Sequence, residues 1–183
     1  SHNFVDPHIW MDPVLWNQIV LPISKYLEER YPQCNSIALN AETYSRKLSE
    51  LHTNTQIKID SLPQESRTLI TAHDAFKYFS KRYGLEVYGL QGISTLSEPS
   101  IKDISELSSL IVRNKVRTIF TETSVNPKGL EAVVASLRNQ QWEVALGKPL
   151  FSDSLGKSGT TEGTYLGMIS YNVSSIVEGL SLK

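Results

Sequence analysis

Cysteine is almost missing from this chain: Cys34 is the single one in 183 residues. That excludes an internal disulfide and any metal site built from several thiolates. Net charge is equally scarce. Eighteen basic side chains against 19 acidic ones leave −1, with no basic footprint of the kind nucleic-acid binders carry. No apolar run approaches the roughly 18 residues of a membrane-spanning helix. There are no internal repeats, no low-complexity tracts, no H-E-x-x-H and no G-x-S-x-G nucleophile elbow. Gly156-Lys157-Ser158 ends like a phosphate-binding loop, but Phe151 stands where its opening glycine must be, so nucleotide binding is not expected. What remains is an ordinary folding composition, 40% hydrophobic and 20% charged, enough for one sizeable core or a domain plus part of another. The chain opens on Ser1, inside what reads as a motif. A fragment or processed product is expected, so the lack of a leader carries no weight.

The apolar pattern changes along the chain. Asp12-Pro13 is a helix start, with Asp as cap and Pro at the first position, and one helix is expected over 13–31 up to Pro32. A long, mostly polar helix is expected over 35–62, with Ile37, Ala41, Tyr44, Leu48 and Leu51 forming a narrow stripe. It would span about 35–40 Å, enough to bridge two lobes. Strand-like runs follow at 68–72, 85–90, 116–122 and 142–147, and helical runs at 75–83, 101–113, 128–140 and 162–182. Repeated β-α units predict an α/β fold: a parallel four-stranded sheet flanked by helices, preceded by the long connecting helix.

Three loops attract attention. His73 stands where the first strand hands over to a helix, the edge at which α/β folds bind ligands. Taken alone it is no more than a polar turn residue, and the neighbouring Asp74 reads as a helix cap. His8 lies between Pro7 and Ile9-Trp10, with Trp10 and Met11 expected to anchor its loop to a core; a packed structural histidine would look the same. Asp153 follows the last strand and alone would be an Asx-type turn residue. Glu122 ends the third strand. Four strands that deliver His73, Glu122, Asp153 and the Leu90-Gln91-Gly92 turn to one edge are harder to dismiss than any one of them. Neutral imidazole with carboxylate is a good donor set for a divalent first-row metal. His52, His2 and Cys34 receive no role, and the sequon Asn172-Val173-Ser174 reads as chance.

Asp6-Pro7-His8-Ile9-Trp10-Met11-Asp12-Pro13, Thr71-Ala72-His73-Asp74-Ala75-Phe76, Phe120-Thr121-Glu122, Asp153-Ser154-Leu155-Gly156 and Gly163-Thr164-Tyr165-Leu166-Gly167 run in the same order as motifs of a known family. The chain resembles the ZnuA/TroA-like substrate-binding proteins of ABC importers for zinc, manganese or iron. The resemblance implies two lobes joined by one rigid helix, with metal in the cleft between them. It divides the chain into a remnant of the N-terminal lobe (1–34), the connecting helix (35–62) and a C-terminal α/β lobe (63–183). It implies His8, His73 and Asp153 as metal ligands, with Glu122 behind them or itself a ligand, and a further histidine upstream of residue 1. A membrane permease would be the partner of a monomeric, extracytoplasmic protein, periplasmic or lipid-anchored, with no enzymatic activity. Two other functions compete. A metal-dependent hydrolase would use Glu122 as its base and needs a coordination position open to water. An adhesin or interaction module would need neither His73 nor Asp153.

Overall fold

Asp12 caps the first helix as its position suggests. Its Oδ1 accepts from Val14 N at 2.8 Å and Leu15 N at 3.3 Å, and Pro13 occupies the position where a missing N–H costs nothing. The single helix expected over 13–31 is two, α1 (Pro13–Gln18) and α2 (Val20–Arg30). Pro22 accounts for the break, because a proline ring clashes with the carbonyl four residues back, here Gln18, and offers no N–H to bond it. The computed structural model describes residues 5–95 and 97–181; His2 and Leu182 lie outside the described residues.

The long helix, α3 (Ile37–Asp60), has 24 residues. Its two halves serve different neighbours. Ile37, Ala41 and Tyr44 line an apolar cleft against Trp16, Val20, Ile23 and Leu27 of α1 and α2. Leu48, Leu51, Thr55 and Ile59 are buried against the α/β unit that follows. His52, given no role above, sits 3.2 Å through Nδ1 from the Tyr83 hydroxyl and so joins α3 to a later helix.

The α/β unit runs β1 (Thr68–His73), α4 (Lys77–Tyr83), β2 (Glu86–Gln91), α5 (Ile101–Arg113), β3 (Thr118–Glu122), α6 (Lys128–Asn139), β4 (Ala145–Leu150) and α7 (Tyr165–Leu180). All neighbouring strands are parallel, in the order β2-β1-β3-β4. Alternate residues of each strand face opposite layers. Leu69 and Phe120 join Phe79, Met168, Val173 and Ile176 beneath α3, α4 and α7. Ile70, Ala72 and Ile119 join Leu107, Ile111, Val133 and Leu137 beneath α5 and α6. Helix α5 starts on a reciprocal cap, Ser100 Oγ accepting from Asp103 N and Asp103 Oδ2 accepting from Ser100 N.

Several boundaries differ from expectation. Strand β3 begins at Thr118 rather than at 116 and α7 at Tyr165 rather than at 162. Helix α4 and strand β4 shift for local reasons. Asp74 caps nothing; it pairs with Lys77 Nζ at 2.8 Å, and α4 begins at Lys77. Trp142 is not in the last strand. Arg117 stacks on its ring at 3.8 Å and its indole N–H donates to Val116 O, so β4 begins three residues later. Pro149 then lies within β4, which it tolerates because β4 is an edge strand with one unpaired side. Asn172 is buried in α7 with both amide atoms bonded to the Phe151 backbone, which removes it as a glycan acceptor in the folded chain.

Leu48 has no exposed surface, while Leu39 on the same helix is 64% exposed. Leu48→Ala is expected to cost about 2–5 kcal/mol of unfolding free energy and Leu39→Ala within about 0.5 kcal/mol of nothing, read by urea denaturation.

Candidate metal centre

In the order β2-β1-β3-β4 the chain leaves β1 toward one edge and returns to β3 on its other side. Outside the carboxyl ends of β1 and β3 the connections part, and such a switch point is where open parallel sheets leave a crevice. His73 is the last residue of β1 and Glu122 the last of β3. Both are buried. One Glu122 oxygen, Oε1, accepts the backbone N–H of His73 at 2.9 Å, while Oε2 stands 2.7 Å from His73 Nδ1. Short as it is, that second contact lies off hydrogen-bond geometry, and His73 Nδ1, His73 Nε2 and Glu122 Oε2 have no hydrogen-bond partner. Buried polar atoms without partners are rare and costly, so this trio is poised for something else.

Asp153 supplies the opposite wall. Asn172 clamps the end of β4, accepting from Phe151 N at 2.9 Å and donating to Phe151 O at 2.7 Å, which fixes the start of the loop carrying Asp153. Ser124 Oγ lies 2.9 Å from Ser152 Oγ and 3.4 Å from Asp153 Oδ2. From there Asp153 Oδ2 lies 3.3 Å from His73 Nε2, and its Oδ1 lies 3.3 Å from His8 Nε2.

His8 arrives from the other end of the sequence. Its loop is held on the α/β unit by four long-range contacts. Tyr78 Oη donates to Asp6 O at 3.1 Å, Tyr165 Oη to Trp10 O at 2.7 Å and Trp10 Nε1 to Ser152 O at 2.8 Å, while Arg82 Nε pairs with Asp12 Oδ2 at 2.8 Å. Met11 is buried in the core beside them. The expected anchoring by Trp10 and Met11 is what the loop does. His8 itself is buried, its ring edge-on to Trp10 and to His73 with centroids 5.3 and 5.4 Å apart. Its Nδ1 lies 2.6 Å from Asp6 Oδ1.

One donor atom each from His8, His73 and Asp153 therefore lies within 4.8 Å of the others. Ligands bound to one ion at about 2.0–2.2 Å in tetrahedral geometry stand about 3.3–3.6 Å apart. The two 3.3 Å separations match that edge. Among the described residues no other group of histidine, cysteine and carboxylate side chains meets this test. The structure brings together His8, His73 and Asp153, with Glu122 behind His73. Gln91, at the same sheet edge, stays out and donates to Ser97 O. Sequence reasoning missed Asp6, Ser124 and Ser152. Asp6 had a local signal, a carboxylate two residues before a histidine with proline between; the two serines had none.

The chain matches, over residues 1–179, the family described as zinc-uptake complex component A, periplasmic. It belongs to the ZnuA family. It is 41% identical over 177 residues to the zinc-binding protein TroA of Treponema pallidum and 38% identical over 176 residues to the manganese-binding lipoprotein MntA of Bacillus subtilis, covering 96% of this chain in each case. It spans 58% of the length of both relatives. The solved structure of TroA superimposes with a TM-score of 0.94 at 40% identity, over 98% of this chain and 65% of that one. The Fe(III)-bound YtgA of Chlamydia trachomatis does so with a TM-score of 0.89 at 27% identity, again over 98% of this chain and 65% of that one. The four-stranded parallel sheet with its helices is thus the fold expected of a ZnuA-type chain. The family consists of substrate-binding proteins of metal transporters and not enzymes, which removes the hydrolase reading.

Burial alone would lower the pKa of His73, but the side chains of Asp153 and Glu122 outweigh it and raise the imidazole from 6.5 to about 9. Contact with His73 in turn holds Asp153 below the ordinary carboxylate range. Without metal, folded His73 keeps its proton where an unfolded histidine has lost it. Its contribution to stability is therefore complete below about pH 6.5 and lost as pH rises through about 9. The melting temperature of chelator-stripped protein is expected to fall between pH 6.5 and 9.5 by several degrees more than that of His73→Gln. Parallel curves would contradict the assigned partners.

Proposed function

We propose that this chain supplies the ion-holding part of an extracytoplasmic receptor that captures a divalent transition metal and hands it to an ABC importer permease. The observation that carries the reading is the convergence of two buried imidazole Nε2 atoms on one carboxylate, each 3.3 Å away. His8, His73 and Asp153 serve as ligands and Glu122 backs His73. Names of the relatives support a transition-metal cargo, since they include zinc-binding and manganese-binding proteins, while the YtgA structure carries trivalent iron, Fe(III). Two imidazoles and a carboxylate are borderline donors that suit zinc, manganese and ferrous iron. A bound ion takes the lone pair that His73 otherwise gives to a proton, so acid opposes capture.

In such a receptor residues 63–183 form the C-terminal lobe, 35–62 the connecting helix and 1–34 the part contributed from the first lobe. The receptor works as a monomer, in the periplasm or tethered outside the membrane by lipid. Among the described residues no helix is long and apolar enough to cross a membrane.

Melting of the chelator-stripped chain with zinc, manganese or ferrous iron tests the reading. An ion at 100 times its dissociation constant adds about 2.7 kcal/mol of stability. The gain is expected in the native chain and absent in both His73→Ala and Asp153→Ala. An equal gain in all three, or none in a chain extended to the length of its relatives, overturns the proposal.

A further inference from the structure

His73 and His8 are presented to Asp153 in the same way, and the similarity extends behind the rings. Glu122 stands 2.7 Å behind His73 Nδ1 and accepts the His73 backbone N–H. Asp6 stands 2.6 Å behind His8 Nδ1 and accepts the His8 backbone N–H at 3.0 Å. In the second case a single oxygen, Oδ1, receives both donors. We propose that Asp6 is a positioning residue for metal capture, fixing the tautomer and direction of His8; this rests on the ligand assignment above.

The chemistry follows from what a carboxylate can do. An ionised carboxylate only accepts hydrogen bonds. Facing Nδ1 at 2.6 Å, it places the ring proton there and leaves the Nε2 lone pair free, aimed at the space beside Asp153 Oδ1. Imidazoles that bind metals through one nitrogen commonly hold the other on a carboxylate in this way. Two further features keep Asp6 in place. Pro7 restricts the one backbone link between Asp6 and His8, and Tyr78 Oη holds the Asp6 carbonyl at 3.1 Å. The Asp6 side chain is 16% exposed against 4% for His8, so a shielded pair stands behind the ring rather than a solvated carboxylate.

The test is made on the stripped chain, with the zinc ion alone as probe. Long-range proton–nitrogen NMR at pH 8 reads the His8 tautomer, and competition with a chromophoric chelator reads zinc affinity. The native chain is expected to carry the His8 proton on Nδ1. In Asp6→Ala that proton moves to Nε2 and zinc binds about 10–100-fold more weakly. Asp6→Glu restores both readouts at least in part, which a loop that had merely unfolded would not allow. A native His8 already protonated on Nε2, or an Asp6→Ala chain with native tautomer and affinity, overturns the proposal. His8→Ala separates this failure from that of the ligand assignment. If His8→Ala binds zinc as the native chain does, the assignment falls and the proposal with it. If His8→Ala is weak and Asp6→Ala is normal, only the role of Asp6 falls.

Discussion

Two imidazoles can be held in a buried position facing the same carboxylate only if something behind each ring fixes its angle. Here that something is a second carboxylate. Glu122 accepts the backbone N–H of His73 and stands against its ring, and Asp6 accepts the backbone N–H of His8 and bonds to its ring nitrogen. Burial would otherwise favour an uncharged imidazole free to settle against the core, and partnerless polar atoms would make the arrangement costly. With three acidic side chains surrounding two rings, the charge in this crevice calls for a cation. A proton on His73 answers that demand in part, and a divalent ion answers it more fully.

The sheet makes the meeting possible. Parallel strands deliver their carboxyl ends to one edge, and the reversal between β1 and β3 opens that edge where His73 and Glu122 end. Asp153 is brought over the crevice by a loop clamped at Phe151. His8 is the exception, since no strand carries it. Hydroxyl and indole donors hold its loop instead, tying the earliest described residues to helices α4 and α7 and to the Asp153 loop itself. Sites on loops are less exact than sites on strands, and these bonds supply the missing stiffness.

The sequence was most readable where signals were local. Apolar runs with helix starts after them located the end of β1 to within one residue and the last residue of β3, so His73 and Glu122 could be placed at one edge. Asp12 and Pro13 announced α1. Pro22 broke the following helix by a rule equally local, yet the apolar spacing of Ile19, Val20 and Ile23 runs straight through it. The last strand was displaced because Trp142 looks like a strand residue and is held instead by Arg117. The clamps on the His8 loop were beyond reach, since their partners stand 72, 142 and 155 positions away. Such pairings exist only after the sheet has formed.

Helix α3 is a beam fixed along most of its length. From Leu48 to Ile59 it is bedded in the α/β core, and Tyr44 packs on the margin of that core together with Trp16 and Val20. The turns around Ile37 and Ala41 reach past it toward α2. The overhang from Tyr44 to Ile37 is about 10 Å, so a 5° deflection at Tyr44 shifts the free end by about 0.9 Å. The His8 loop is bolted on the fulcrum side of this lever. The bonds that hold the His8 loop run to α4, α7 and the Asp153 loop rather than to the overhanging end of α3.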